Sequence, residues 1–399
     1  MFNAIRNLFS KQRRDPELEA RLGKLRQQLP VPVFWLFGKT QSGKTSIIRF
    51  LTGADDAEIG QGFRPCTRHS RRYHFPTPEA PLLIFLDTRG LDEPGYDPAE
   101  DLAEFNKSTQ AVLVTVKALD HAQEHVLQHL QTIRQAQPTR PVVLVPTCLH
   151  EAYPQQQHPE PYPFRHRKPT PDEFAGDDDL SRSLAEHLRR FQGLVDAVVP
   201  VDLTRPEEGL AAPNYGGDHL REVLIDVLPA AYRQTLVTLA EARKELEDIT
   251  LARVLPHIVG YSVLAAAAGA LPVPWLDLLI LPGIQTRMIY HLARLHGQPL
   301  NARRFLELAG TLGVGLVARQ AIREVAKLIP VAGSVTAAAL AGASTFALGK
   351  ACCRYYRAVH QGHVPPADEL KRLYHEELKR AMTLWTPQRA APAAEHTGP

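Results

Sequence analysis

Five runs of almost unbroken apolar residues punctuate residues 31 to 228: Val33 to Phe37, Leu82 to Leu86, Ala111 to Val116, Val142 to Val145 and Ala197 to Val201. Each has the length of a strand and is apolar on both alternating faces, as strands buried on both sides must be. Helical spacing of apolar positions separates them, so the pattern predicts βαβ units and an α/β, mostly parallel sheet flanked by helices. One stretch, about 152 to 179, is rich in proline, histidine and charge, and reads as a surface insertion without a core of its own.

The pattern changes at both ends of this region. Residues 1 to 30 read as a helical segment, with Asp15 placed to cap and Pro16 at a first helical position. Phe2, Ile5, Leu8 and Phe9 share a face near Arg6, Lys11, Arg13 and Arg14, which suits packing against the next domain or, as the lesser alternative, a membrane-surface helix. Residues 229 to 252 form an amphipathic connector helix with Tyr232, Leu236, Leu239 and Leu246 on one side. An alanine- and glycine-rich helical region follows at 253 to 358, then a C-terminal helix within 359 to 385 and a disordered tail at 386 to 399.

Composition adds limits. A chain of 399 residues exceeds what one core usually serves, which predicts two domains. With 44% hydrophobic and 22% charged residues, neither a wholly disordered chain nor a polytopic membrane protein is expected. The net charge of +3 gives no case for a sequence-specific nucleic-acid partner. Cys66, Cys148, Cys352 and Cys353 form no C-x-x-C metal pattern, and no secretory signal is recognisable, so a reduced, cytoplasmic chain is expected.

The candidate chemistry begins directly after the first apolar run. Gly38-Lys39-Thr40-Gln41-Ser42-Gly43-Lys44-Thr45 is a complete G-x-x-x-x-G-K-[ST] phosphate loop in a strand-loop-helix setting. Its glycines let backbone N–H groups close around phosphates at a helix N-terminus. Lys44 is placed to bridge the β- and γ-phosphates, and the Thr45 hydroxyl to hold Mg²⁺. Asp87-Thr88-Arg89-Gly90 follows the second apolar run, about 43 residues after Lys44, with Asp87 able to reach Mg²⁺ and Gly90 able to offer its N–H to a γ-phosphate. Between the two, Thr67 is a candidate second Mg²⁺ ligand.

This arrangement resembles the regulatory GTPases, specifically the Era/TrmE-like branch with its dynamin-like and immunity-related relatives, over about residues 31 to 228. The resemblance implies a Ras-like P-loop fold and a Mg²⁺-dependent GTP/GDP switch. Gly38 to Ser46 would cradle the phosphates, Lys44, Thr67 and Gly90 would act at the γ-phosphate, and Thr45, Thr67 and Asp87 would hold the metal. The family reads guanine with N/T-K-x-D. Here Thr147 fits, Cys148 replaces the lysine, and His150 replaces the aspartate, with Glu151 beside it as a carboxylate able to swing in. A neutral histidine cannot accept from both guanine donors. Asp202-Leu203-Thr204 takes the place of the loop that backs the base, with Leu203 at the base. The glutamine that orients water after D-x-x-G is Leu91 here, and Gln41 stands where potassium-activated relatives carry asparagine. Slow turnover is therefore expected, completed by dimerisation, an activating partner or an arginine such as Arg64, Arg68, Arg71 or Arg89.

In the helical region, Val254 to Leu276 and Leu328 to Gly349 lack Asp, Glu, Lys and Arg, and each is long enough to cross roughly 30 Å of hydrocarbon. Small residues and interior prolines weaken such a span, and the seven basic against three acidic residues between Asp277 and Lys327 would violate the positive-inside tendency. Two hairpins entering from one face, or a soluble bundle with close small-residue contacts, fit better. Leu271-Pro272-Val273 and Ile329-Pro330-Val331 each precede a helical run, suggesting repeated hairpins, while Asp277 and Gln285 read as caps or buried glue. About residues 245 to 358 resemble the YcjF-type domain of unknown function found C-terminal to Era-like bacterial GTPases. That resemblance implies peripheral or re-entrant membrane contact at the cytoplasmic face of the inner membrane.

Three functions follow from these features. The first is a GTPase whose nucleotide state controls a membrane-apposed helical domain. The second is a hydrolysis-deficient nucleotide-binding scaffold, and the third a P-loop ATPase.

Overall fold

Val33–Gly38 (β1) is buried along its whole length because it is the central strand of its sheet: it pairs in parallel with Leu83–Thr88 (β4) on one side and Ala111–Lys117 (β5) on the other. The computed structural model describes residues 16–29, 31–54, 59, 63–65, 70–88, 105, 108–153, 157–166, 170–174, 176, 178–210, 212–229, 232, 249–270, 280–297, 334–361 and 363–385. The chain divides into two compact units, Pro30–Glu241 and a second made of Met1–Leu29 with Ala242–Pro399.

The first unit holds a seven-stranded sheet in the order β2-β3-β4-β1-β5-β6-β7, where β2 is Phe63–Pro65, β3 Ser70–Phe75, β6 Val142–Thr147 and β7 Ala197–Val198. Strands β4, β1, β5, β6 and β7 run parallel, whereas β3 is antiparallel to both β2 and β4. Helices α2 (Lys44–Thr52), α3 (Glu124–Ala136), α4 (Asp179–Arg190) and α5 (Gly217–Val227) complete the α/β unit. The core gathers Trp35, Phe37, Leu86, Val112, Val114 and Leu144 from the strands with Leu130, Leu184 and Phe191 from the helical side.

Strands β2 and β3 are absent from the apolar pattern. Among the described side chains of β3, Tyr73 and Phe75 are buried, with Tyr73 stacked on Phe85 of β4 at 6.3 Å, while Arg71 and Arg72 are half-buried. Such a period of two belongs to an antiparallel strand near a sheet edge, which a search for continuous apolar runs does not find. The last apolar run contributes only Ala197–Val198 as strand, although Val199 N and Val201 N still donate to Leu144 O and Pro146 O at 2.9 and 2.8 Å.

The proline- and histidine-rich stretch is not coreless. Phe174 is buried, and Tyr153, Tyr162 and Phe164 pack against the main core. The Tyr162 hydroxyl donates to Pro200 O at 2.7 Å, and His158 stacks on Tyr215 with ring centroids 4.2 Å apart. Average composition hid four aromatic anchors spaced along an otherwise exposed segment; aromatic rings bury enough area individually to seat a polar segment.

In the second unit Pro16–Gln28 (α1) joins Ile249–Ala270 (α6), Ile280–Leu295 (α7), Ser334–His360 (α8) and Ala367–Trp385 (α9). Leu22 and Leu25 of α1 are buried, and Glu19 pairs with Arg287 of α7. Phe2 to Arg14, Asp15, the connector residues 233–248, Asp277 and both Pro-turns lie outside the described residues.

Helices α6 and α8 approach closely where side chains are smallest. A Cβ on Gly269 would stand 2.8 Å from Ala337 O, and one on Gly349 would stand 2.6 Å from Ile258. Polar groups in this interior find local partners, Ser262 Oγ donating to Ile258 O at 2.7 Å and Thr345 Oγ1 to Ala341 O at 2.8 Å. Gln285 Nε2 reaches Thr345 Oγ1 at 3.3 Å, which makes it buried glue between α7 and α8. Leu370, Tyr374, Leu378 and Ala381 form the buried stripe of α9. Among the described residues no helix is long and apolar enough to cross a membrane.

His257 is buried in α6 with its ring centroid 4.5 Å from that of His291. Burial, aided by His291 and Arg253, pushes its pKa down from 6.5 to about 3. The folded unit thus holds His257 neutral while the unfolded chain takes up a proton below pH 6.5, so stability is full above that pH and falls toward pH 3. The slope expected from one such group is at most about 1.4 kcal/mol per pH unit. Urea denaturation followed by helical circular dichroism between pH 7 and 4 should show this slope, and His257→Phe should flatten it.

Candidate functional site

The phosphate loop is built by two backbone necessities. Gly43, which precedes α2, has φ 87°, and a Cβ there would lie 3.0 Å from Thr147 Cγ2. Gly38 has φ 155°, and a Cβ there would collide with the carbonyl and hydroxyl of Thr115. Only glycine fits both places.

Hydrogen bonds then tie the loop to two neighbouring strands. Ser42 is buried, its hydroxyl 2.8 Å from Lys39 O and 2.6 Å from Thr115 Oγ1 on β5. From β6, the buried Thr147 hydroxyl reaches Ser42 O at 3.1 Å and Val116 O at 3.2 Å. Lys44 opens α2 with Nζ 2.8 Å from Gly38 O and 2.7 Å from Lys39 O, so its charge sits over the loop. Thr40, Gln41 and Thr45 are exposed, Gln41 with φ 61°, and Ser46 is half-buried.

Lys39 turns away from the loop toward Asp120, at 2.8 Å. Burial would raise the Asp120 carboxyl, but the hydrogen bonds from Lys39 and the Ala122 N–H outweigh it and hold the group below the usual carboxylate range. The pair braces the loop after β5 against the phosphate loop.

Asp87, the last residue but one of β4, is half-buried, in register with Leu36 of β1 and Arg71 of β3. Thr45 and Asp87 offer a hydroxyl and a carboxylate, hard oxygen donors of the kind Mg²⁺ takes. Thr67, Gly90, Arg68, Arg89 and Leu91 lie outside the described residues.

At the ends of β6 and β7 the residues at the base-reading positions come together, with differences from expectation. Cys148 adopts φ 57° and is half-buried, its thiol pushed up by burial. Glu151 does not stand in for the missing carboxylate: it pairs with Lys117 at 3.0 Å on the surface. His150 instead meets Asp202, 2.7 Å from Nδ1 to Oδ2. Leu203 is buried, and its carbonyl accepts from Arg49 of α2, which clips this segment to the helix that follows the phosphate loop. Asp202, Thr115, Asp120 and Arg49 are the residues that sequence reasoning missed. Only Asp202 stood in a quoted segment, and nothing local marks a contact made across 52 residues.

Replacing Thr147 by valine keeps the volume and removes the donor, at a net cost of about 1 kcal/mol. Calorimetric titration with GDP should show affinity lowered about fivefold.

The match to the family described as "50S ribosome-binding GTPase" covers residues 33–147, and that to "Domain of unknown function (DUF697)" covers residues 233–381. A relative, Magnetosome membrane protein 22 of Magnetospirillum gryphiswaldense, is 30% identical over 135 residues, 32% of this chain and 69% of the relative. The chain belongs to this family of P-loop GTPases with a C-terminal DUF697 domain. GTP binding and GTPase chemistry in general come with that family.

Among solved structures, the GTPase is similar to the G domain of the T. maritima FeoB iron transporter, at 16% identity and TM-score 0.29, covering 49% of this chain and 98% of that one. It is also similar to the bacterial selenocysteine-specific elongation factor EF-Sec, at 15% identity and TM-score 0.31, covering 49% of this chain. The chain spans 28% of that elongation factor's length.

Proposed function

We propose that this GTPase binds GTP with Mg²⁺, hydrolyses it slowly, and uses its nucleotide state to control a helical domain apposed to the cytoplasmic face of the inner membrane. The observation that carries the binding part is the loop itself: Lys44 poised over the carbonyls of Gly38 and Lys39, with Ser42 and Thr147 locking the loop to β5 and β6. In this reading Gly38 to Ser46 would hold the phosphates, and Thr45, Thr67 and Asp87 would hold Mg²⁺, which would neutralise charge on the phosphates. Lys44, Thr67 and Gly90 would act at the γ-phosphate, and Thr147, Cys148, His150 and Leu203 would line the base end.

Slow turnover is supported by Leu91 at the position that usually orients water and by Gln41 in the loop. A homodimer or an activating protein completes the site. Coupling is supported by connectivity: the GTPase unit, Pro30–Glu241, is joined to the helical unit at both of its ends. Membrane contact is supported by the similarity to Magnetosome membrane protein 22.

The test is single-turnover hydrolysis of GTP by the full chain with and without vesicles containing anionic lipid, alongside cosedimentation. Slow GDP formation that vesicles or raised protein concentration accelerate supports the proposal. Sustained absence of GDP under every condition favours the second reading, a nucleotide-binding scaffold, for which Leu91 is the specific observation. Preference for ATP over GTP would overturn both.

A further inference from the structure

Two side chains from segments 52 residues apart meet at the carboxyl ends of β6 and β7. Asp202 is 2% exposed and is set in place by an antiparallel bridge to Tyr215. Its Oδ2 accepts the backbone N–H of His150 at 2.6 Å and lies 2.7 Å from His150 Nδ1. On the buried side, His158 Nε2 stands 3.8 Å from the same oxygen, with its ring against Tyr215. His150 is the outward member, with 29% of its side chain exposed.

A carboxylate oxygen accepts, so the hydrogen between the two side chains belongs to Nδ1, and an imidazole that donates there without a second proton keeps a lone pair at Nε2. The pair therefore presents one acceptor outward where a carboxylate would present two. Its position suits the base of a bound nucleotide. Thr147, three residues before His150, is tied to Ser42 of the phosphate loop, while Asp87 lies on the other side of β1. A nucleotide at the strand ends with its metal side at Asp87 extends toward β6 and β7.

We propose that the His150 and Asp202 pair reads the purine edge through the single acceptor Nε2, so that this GTPase does not distinguish guanine from hypoxanthine. The proposal rests on the base-end reading given above. Guanine offers two donors on this edge, the N1–H and the 2-amino group, and hypoxanthine offers only the N1–H. One lone pair takes the N1–H in either case and gains nothing from the 2-amino group. Adenine presents a lone pair at N1, which faces Nε2 unfavourably, so ATP is rejected. Asp202 acts through His150 and is a positioning residue.

The test is competition of unlabelled GTP, ITP and ATP against fluorescent mant-GDP on the full chain with Mg²⁺ at pH 8. The expected result is GTP and ITP affinities within about fivefold of each other, both above ATP, since a second hydrogen bond to a charged acceptor would separate them by about tenfold or more. His150→Ala should weaken GTP and ITP alike. The double variant His150→Asp with Asp202→Asn moves the carboxylate to position 150 and should raise the GTP preference over ITP past about fivefold. A larger preference in the unaltered chain, or unchanged GTP and ITP affinities in His150→Ala, overturns the proposal. If the unaltered chain binds no purine triphosphate or prefers ATP, the underlying GTP reading fails as well, a result distinct from GTP binding with strong discrimination against ITP.

Discussion

Lys44→Ala should weaken nucleotide binding by about 30-fold or more while leaving the fold intact. The ammonium sits 2.8 and 2.7 Å from the carbonyls of Gly38 and Lys39, which holds it at the phosphate loop. A phosphate bound there would take a charge-assisted hydrogen bond from it in a partly enclosed setting. Truncating one partner of such a pair costs about 2–5 kcal/mol, an affinity loss of roughly 30-fold to several thousandfold. The fold should tolerate the change because Lys39 O still accepts from the Ser42 hydroxyl at 2.8 Å, and Thr147 still clips the loop to β6. Equilibrium binding of mant-GDP, read beside a thermal melt, checks both halves. Affinity within threefold of the unaltered chain would remove Lys44 from the phosphate site.

The second large effect falls in the helical unit. Gly269→Leu should destabilise it by about 3 kcal/mol, near the upper part of the ordinary range for overpacking. The first atom added, Cβ, already stands 2.8 Å from the backbone carbonyl of Ala337 and 2.9 Å from Ala341 Cβ, so α6 and α8 must separate. Replacing glycine within a helix normally gains about 0.5–1 kcal/mol from propensity, too little to offset that separation. Gly269→Ala, which adds Cβ alone, should therefore fall between the original chain and the leucine variant. Urea unfolding followed by helical circular dichroism measures the series. Because Gly269 belongs to the unit that excludes the phosphate loop, GDP affinity should not change. Equal stability of Gly269→Leu and the original chain would show that the two helices are not in close contact there.

What could be read without coordinates was whatever is local. The phosphate loop is eight consecutive residues whose glycines answer to backbone angles at single positions, and the structure places them at the end of β1. The strands next to β1 announced themselves because a strand covered on both faces must be apolar throughout. Strand β3 did not, since Arg71 and Arg72 interrupt it and only alternate residues face the core. The 157–166 segment misled for a related reason: its charge and proline are real, but Tyr162 and Phe164 anchor it.

The base end shows the division most plainly. Sequence alone determined that residue 150 is a histidine where a carboxylate is usual, and that a phosphate loop and a small-residue helical region share one chain. Only the tertiary structure decided that Asp202 meets that histidine, that Glu151 is engaged by Lys117, and that the first helix joins the last ones. The physical reason is the same in each case. Backbone angles and burial periodicity are properties of neighbouring residues. Which carboxylate meets which imidazole depends on strand order and on loops that close over dozens of residues, and no local pattern encodes it.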